Sequence, residues 1–481
     1  MTPHATLRRY AARAASVIRR SGTAARRPVI SRILIAGTVI TALAGASATA
    51  IGAENDGHDP RGWQKKRQDY TAGVNVPLVS TPNVHLVTTF PETQAISGVF
   101  AKSAPYFYVS SLDSVSVFDV SDPLAPKLTG TLPNLLFENE AMNYGEQSHD
   151  GVTERFVLLG ADLYQASPGD IEHVNVGGGE LILVDVTDPA NPAIRSRVEI
   201  STSAHTISCV RDTACEYAYS AGSDGKVSII DLRDLDAPKE LKTFDTPAMG
   251  WAGHKWNFDA AGYGIHTAAG GTTIFDVRDP VNPKLVTTTA DAGTSPGWND
   301  FIHHNSDRPN AEAFSPGATP SVKNGNVILV TEEDYENTDC ATAGSFQTWY
   351  VEKLDGTASA IKPLDRINPV DLGEGVAVPH LAFCSAHWFD YHPSGIVAQG
   401  FYEGGLRLID VRDPRDLKEY GYFASGLSEV WDAYWVPVRN SKGVATGQKT
   451  NIVYTADLIR GLDVFTIDLP GSTGGTGRPI G

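Results

Sequence analysis

The sequence predicts an all-β protein folded as a seven-bladed β-propeller, with the last blade closed by an N-terminal strand. Three observations predict it. A strand-turn-strand unit recurs along the chain as VSVFDVSDPLAPKLTGTL, LILVDVTDPANPAIRSRVEI, VSIIDLRDLDAPKELKTF, TTIFDVRDPVNPKLVTTT and LRLIDVRDPRDLKEYGYF. Neighbouring copies are about 45 to 65 residues apart, close to one propeller blade. The final copy stops one strand short, at Asp468-Leu469-Pro470.

Each unit opens with aliphatic and β-branched residues ending in Asp119, Asp185, Asp231, Asp276 or Asp410, the pattern of a buried strand. A turn follows. The acidic side chain accepts from amides ahead of it, and Pro123, Pro189, Pro280 and Pro414 preset the turn dihedral. A second proline at Pro126, Pro192, Pro238 or Pro283 marks the following strand as an outer one, where a missing N–H does no harm.

Taken in order, residues 1–50 carry eight arginines and no acid, then the short apolar run Ile33 to Ala44 and small residues around Ala48 and Ala50. This reads as a cleavable signal peptide for export, and Arg26-Arg27 resembles a twin-arginine signal as well as a general one. Residues 51–73 are charged and lack apolar periodicity, so a flexible spacer is expected. Residues 74–470 form the propeller, and 471–481 a glycine-rich tail. Within the propeller, first and second strands are expected upstream of each unit, as at Ile96 to Lys102 and Tyr106 to Ser110. The long gap between Asp276 and Asp410 holds a divergent blade with strands at Val327 to Thr331, Thr348 to Lys353 and Ile361 to Ile367. Asn83 to Thr89 matches the outer strand Asn282 to Thr288 and has no partner of its own, so it is expected to complete the final blade.

Composition agrees. The 46 Gly and 29 Pro suit many short strands joined by turns. A net charge of −17 argues against nucleic acid and anionic membranes as partners. The processed protein is expected to be monomeric and not integral to a membrane. Four cysteines in an exported chain are expected to form disulfides, with Cys209 to Cys215 and Cys340 to Cys384 favoured among three pairings.

The run Leu181-Ile182-Leu183-Val184-Asp185, and less closely the other four copies, resembles the LVIVD-repeat family of β-propellers. The resemblance covers roughly residues 83 to 469 and implies an exported propeller, with no activity attached.

Chemistry is expected on the face where the first strands begin, away from the Asp-Pro turns. His149, His205, His254, His303 or His304, and His387 fall near first-strand starts in blades two to six. Imidazoles converging on an axis suit Fe, Cu or Zn. Other propellers with axial histidines hold catalytic iron, an analogy of fold only. Glu333 and Asp334 end a strand of the divergent blade and could bind calcium, accept a proton, or support metal-bound imidazoles. Asp300, Asp307 and Asp432 lie near corresponding strand starts, and Trp251, Trp256, Trp298, Trp388, Trp431 and Trp435 crowd the same region, where packing between blades explains most of them. No nucleophile elbow, phosphate loop or H-E-x-x-H zincin motif is present. Two functions follow. The first is a binding scaffold for an extracellular protein, glycan or small molecule, using the insertions Tyr164 to Gly179 and Tyr335 to Gln347. The alternative is a metal-dependent enzyme with an axial histidine cluster, an oxidoreductase, lyase or hydrolase.

Overall fold

The structure is a computed structural model. It describes residues 60–471 apart from 75–77, 92, 112–113, 134–139, 141, 162–178, 223–224, 247–252, 335–336, 338–339, 341 and 369–383. The expected signal peptide, the tail beyond Gly471, Trp251 and most of the blade-two insertion lie outside the described residues.

Seven antiparallel sheets of four or five strands follow one another around an axis, as the repeats require. Blade 4 shows the pattern: Gly253–Phe258 innermost, then Tyr263–Ala268, Gly271–Asp276 and Lys284–Thr288. The divergent unit forms blade 5 from Ile302–Asp307, Val327–Glu333, Phe346–Val351 and Ile361–Ile367. Third strands such as Gly179–Asp185 are apolar on both faces because a neighbouring blade covers each face, and Leu181, Ile182, Leu183 and Val184 are wholly buried. The core therefore lies between blades. One apolar cluster joins Leu158, Leu181 and Leu183 of blade 2 to Ile207, Ala218 and Ile230 of blade 3.

The repeated aspartates act as turn formers. Asp119, Asp185, Asp231, Asp276 and Asp410 each accept from the amide two residues on, at 2.8 to 3.1 Å. Asp122, Asp188, Asp234, Asp279 and Asp413 do the same one step later.

Ring closure is as expected. Val84–Phe90 pairs antiparallel with Gly461–Ile467 and becomes the outer strand of blade 7, beside Ala445–Asp457 and the innermost Val430–Arg439. Blade 7 then packs on blade 1, with Tyr454, Leu462 and Val464 against Phe107, Val109 and Phe118. An unforeseen short strand, Leu78–Ser80, adds to the edge of Lys418–Ser425 and gives blade 6 five strands.

The spacer reading needs correction over Pro60–Thr71, which is an α-helix, here α1. Lys66 pairs with Glu403 of blade 6, Arg67 donates to the carbonyls of Ile459 (2.6 Å) and Pro91, and the Arg460 guanidinium lies 5.5 Å from the centre of the Tyr70 ring. These anchors are polar, so a search for apolar periodicity misses the helix.

Both disulfides form, Cys209–Cys215 and Cys340–Cys384. The second closes a 44-residue separation and ties the loop after Glu333 to the segment leading to His387. Replacing Cys340 and Cys384 together by Ala is expected to cost about 4 kcal/mol, from the entropy of the released loop. The midpoint of urea unfolding measures it.

A second stability prediction concerns His266 in blade 4. It is buried against Trp256 with neither ring nitrogen hydrogen-bonded, and burial pushes its pKa down to about 3. The unfolded chain binds a proton there below about pH 6.5, whereas the folded chain does not. Stability is therefore lost as pH falls from 6.5 toward 3, by about 1.4 kcal/mol per unit for this group. His266→Leu should recover about 2 kcal/mol of the loss at pH 5 relative to pH 7, read from urea midpoints at the two pH values.

Candidate functional site: a histidine and carboxylate cluster on the propeller axis

Five blades deliver side chains to one point. His205 immediately precedes the innermost strand Thr206–Cys209 of blade 3, His254 is second in that of blade 4, His304 third in that of blade 5, and His387 lies two residues before Phe389–His392 of blade 6. Glu140 comes from the segment leading to Asn143–His149, the innermost strand of blade 2. Glu333 ends the second strand of blade 5, and second strands run back toward the end where first strands begin.

The imidazole rings form a chain around the axis, with centroids 4.4 Å apart for His205 and His254, 3.9 Å for His254 and His304, and 4.1 Å for His304 and His387. The Glu140 carboxylate sits among them. Its Oε1 is 2.7 Å from His304 Nε2, 3.0 Å from His387 Nε2 and 3.7 Å from His254 Nε2, and its Oε2 is 2.9 Å from His205 Nε2. Glu333 lies behind, with Oε2 3.4 Å from His304 Nε2 and Oε1 3.6 Å from His387 Nε2. Tyr402 donates its hydroxyl to Glu333 Oε1, and its ring packs 4.7 Å from that of His387. Tyr402 holds a left-handed φ of 49°, unusual for a bulky side chain. His304, His387 and Glu333 are completely buried.

The charges are coupled. Burial alone would raise the Glu140 carboxyl, but His254 and His205, with hydrogen bonds from His205 and His304, hold it well below the usual range. Burial, then His304 and His205, push His254 well below an ordinary histidine, and burial with His387 beside it takes His304 down to about 3. His387 runs the other way. Burial would lower it, yet Glu333 and Glu140 raise it above the ordinary value.

His387 also shows how one ring is aimed. Its Nδ1–H donates to the Trp431 carbonyl at 2.6 Å, which leaves Nε2 facing the carboxylates. That Nε2 lies 3.0 Å from Glu140 Oε1 and 3.6 Å from Glu333 Oε1. A neutral ring would then set a nitrogen lone pair against an anionic oxygen, a repulsive contact unless a proton or metal cation lies between them. The Nδ1 atoms of His254 and His304 are buried without hydrogen-bond partners.

Donor atoms of these groups lie within 4.8 Å of one another in three sets: Glu140, His304 and His387; Glu140, His205 and His254; His254, His304 and Glu333. A tetrahedral site with bonds of 2.0–2.1 Å has edges of about 3.4 Å. The Nε2 to Oε separations of 2.7 to 3.7 Å bracket that value.

Against the sequence expectations, His205, His254, His304, His387 and Glu333 converge. Two expected ligands do not. His303 points between blades 4 and 5, with Nδ1 2.8 Å from Thr272 Oγ1 and Nε2 donating to the Trp298 carbonyl at 2.8 Å; strand alternation sends it to the opposite side from His304. His149 lies at the far end of its strand, exposed, beside Gln147. It precedes Asp150-Gly151, which have φ of 51° and 81° and form a tight hairpin turn. That Asp-Gly pair was a legible signal that the strand begins, and the site lies, several residues earlier. The group at the blade-2 position is Glu140. Asp334 is buried next to Glu333 but turns to Asn337, whose amide N–H is 3.2 Å from its Oδ1. Asp334 does share a second acidic cluster with Asp300 and Glu332. There Glu332 is already engaged by the Asp300 amide at 2.7 Å and by Ser345 Oγ at 3.0 Å. Asp307 and Asp432 lie in innermost strands below the histidines. Trp256 and Trp435 are inter-blade core, whereas Trp388 and Trp431 pack on the cluster, 4.6 Å from His304 and 5.2 Å from His387.

The family model of the LVIVD repeat matches residues 169–199. No curated protein matches the chain. Among solved structures, the chain is similar to the β-propeller domain of Cps50 (Swd1) from Myceliophteria thermophila, at 12% identity and TM-score 0.48 over 80% of this chain and 100% of that one. It is also similar to the WD40 propeller domain of Doa1, at 9% identity and TM-score 0.48 over 81% and 98% of the two chains. U3-55K matches at 9% identity and TM-score 0.46, over 80% and 98%. Two disulfides form, and no helix among the described residues is long and apolar enough to cross a membrane. The chain is a seven-bladed β-propeller that carries the LVIVD repeat.

Proposed function

We propose that the protein is an exported metal-dependent enzyme that holds one first-row transition-metal ion on the propeller axis, through Glu140, His304 and His387 with His205 and His254 beside them, and acts on a small molecule. The observation that carries this reading is the gathering of ligand atoms of Glu140, His304 and His387 within 4.8 Å of one another, with His387 Nε2 turned toward Glu140 by the Trp431 carbonyl. Imidazole-rich sites suit Fe, Cu and Zn. Glu333, steadied by Tyr402, is the base beside the ion. The bound metal would supply Lewis-acid or redox chemistry; the chain positions the ligands, keeps the site dry and offers Glu333 for a proton.

Burial of the cluster supports a small substrate over a protein or glycan, neither of which reaches a fully enclosed imidazole. A ring completed within one chain supports action as a monomer. The leader and the disulfides support export, by the general or the twin-arginine route. Elemental analysis of protein purified without chelator tests the assignment. About one equivalent of Fe, Cu or Zn is expected, and a metal-free protein of unchanged stability would leave a binding scaffold instead.

A further inference from the structure

A second charged group occupies the same channel. Lys255 follows His254 in the innermost strand of blade 4 and is 6% exposed. Its Nζ donates to Asn143 Oδ1 of blade 2 at 2.8 Å and lies 4.9 Å from the centre of the Trp388 ring of blade 6. A side chain from blade 4 that touches blades 2 and 6 has its ammonium in the central channel. Trp388 is also the indole that packs on His304 at 4.6 Å and His254 at 5.9 Å, so Lys255 stands beside the cluster.

Among the described residues no carboxylate oxygen lies within 4.0 Å of this ammonium, and Asn143 engages one of its three N–H groups. The carboxylates nearby are committed elsewhere. Glu140 is taken by the imidazoles. Asp432 is held by the Tyr434 hydroxyl and its neighbouring amide at 2.8 Å, with Ser97 Oγ 3.4 Å away. Lys255 is therefore a buried amine with Asn143 and the Trp388 ring around it and no carboxylate of the described residues in direct contact. A buried ammonium without an ion pair is costly unless an anion joins it.

A separate cavity of about 390 Å³ lies among blades 1, 6 and 7, lined by Gly98, Lys102, Asp390, Tyr434, Trp435 and Lys449 among others. Tyr434 borders it while touching Asp432 and the Gly98 amide.

We propose that Lys255 is the receptor for the carboxylate of a small carboxylic-acid substrate, held against the Trp388 indole with the metal centre beside it. This rests on the metal-site reading for its catalytic meaning, while the anion site itself is independent of it. The test uses the full chain loaded with Co(II), whose visible bands report changes near the ion, titrated with acetate and with neutral, isosteric acetamide. Acetate should perturb the bands saturably and acetamide should not. In Lys255→Met the acetate Kd should rise by about tenfold to a hundredfold, the value of one charge-assisted hydrogen bond, with cobalt content unchanged. Equal responses to acetate and acetamide, or an acetate Kd indifferent to Lys255→Met, would overturn the proposal by placing any binding on the metal alone. The rise in Tm that acetate gives the metal-free protein is the second measurement. Should Co(II) fail to bind, the metal reading falls, and the anion site stands only if acetate raises Tm and acetamide does not.

Discussion

His304→Ala and His387→Ala are each expected to lower transition-metal affinity more than about a hundredfold, since loss of a mere supporting partner already costs about 10–100-fold. His303→Ala and His149→Ala serve as controls and should retain the full metal equivalent. His303 is buried as deeply as His304, so a burial effect alone would strike both. Only the metal reading separates them, because strand alternation puts one imidazole on the axis and the other against Thr272. Metal content by elemental analysis, with folding checked by circular dichroism, decides it. If His304→Ala and His303→Ala lose metal equally, the axial assignment is wrong.

Binding should also depend on pH with a definite sign. In the metal-free protein Glu333 and Glu140 raise His387 above the ordinary value, so a proton occupies the position the ion would take. Metal must displace it. Affinity therefore weakens as pH falls through the raised value of His387 and strengthens above it, with protons released on binding. Calorimetry in buffers of different ionisation enthalpy would count them.

Removing residues 83–90 is expected to unfold the ring as a whole. The strand Val84–Phe90 is the outer strand of blade 7, and Val84 is buried with Trp435 and Phe465. Without it Gly461–Ile467 becomes an exposed hydrophobic edge. Blade 7 covers blade 1 on one side and packs with blade 6 on the other, so its loss uncovers both. The expected change is of the order of the total stability of a domain, about 5–15 kcal/mol. Hydrogen exchange should show blades 3 and 4, across the ring, losing protection together with blade 7. Retained protection there would mean that the blades are stable independently.

The repeat was a reliable guide to architecture and a poor one to chemistry. Its aspartates are accounted for by turn hydrogen bonds at the far end of the third strands, while the axial groups fall where the copies differ. Reading the histidines by blade singled out His205, His254 and His387, which meet at Glu140, and the residues around His254 and His387 align without gaps. In blade 5 the neighbouring pair His303-His304 could not be resolved by spacing, since one residue of register reverses the side chain. Glu140 escaped because nothing in its local sequence marks it as a ligand.

By itself the sequence determined the seven blades and the proline turns, because local periodicity and turn chemistry set them within about one blade; it pointed to the closing strand through the match of Asn83 to Thr89 with the outer strand Asn282 to Thr288, and favoured the two cysteine pairs among three pairings. Only the tertiary structure decided which residues meet on the axis. Glu140 and His304 are 164 residues apart, and Lys255 and Asn143 are 112 apart. Their proximity comes from ring closure, which converts equal steps along the chain into convergence on a single point.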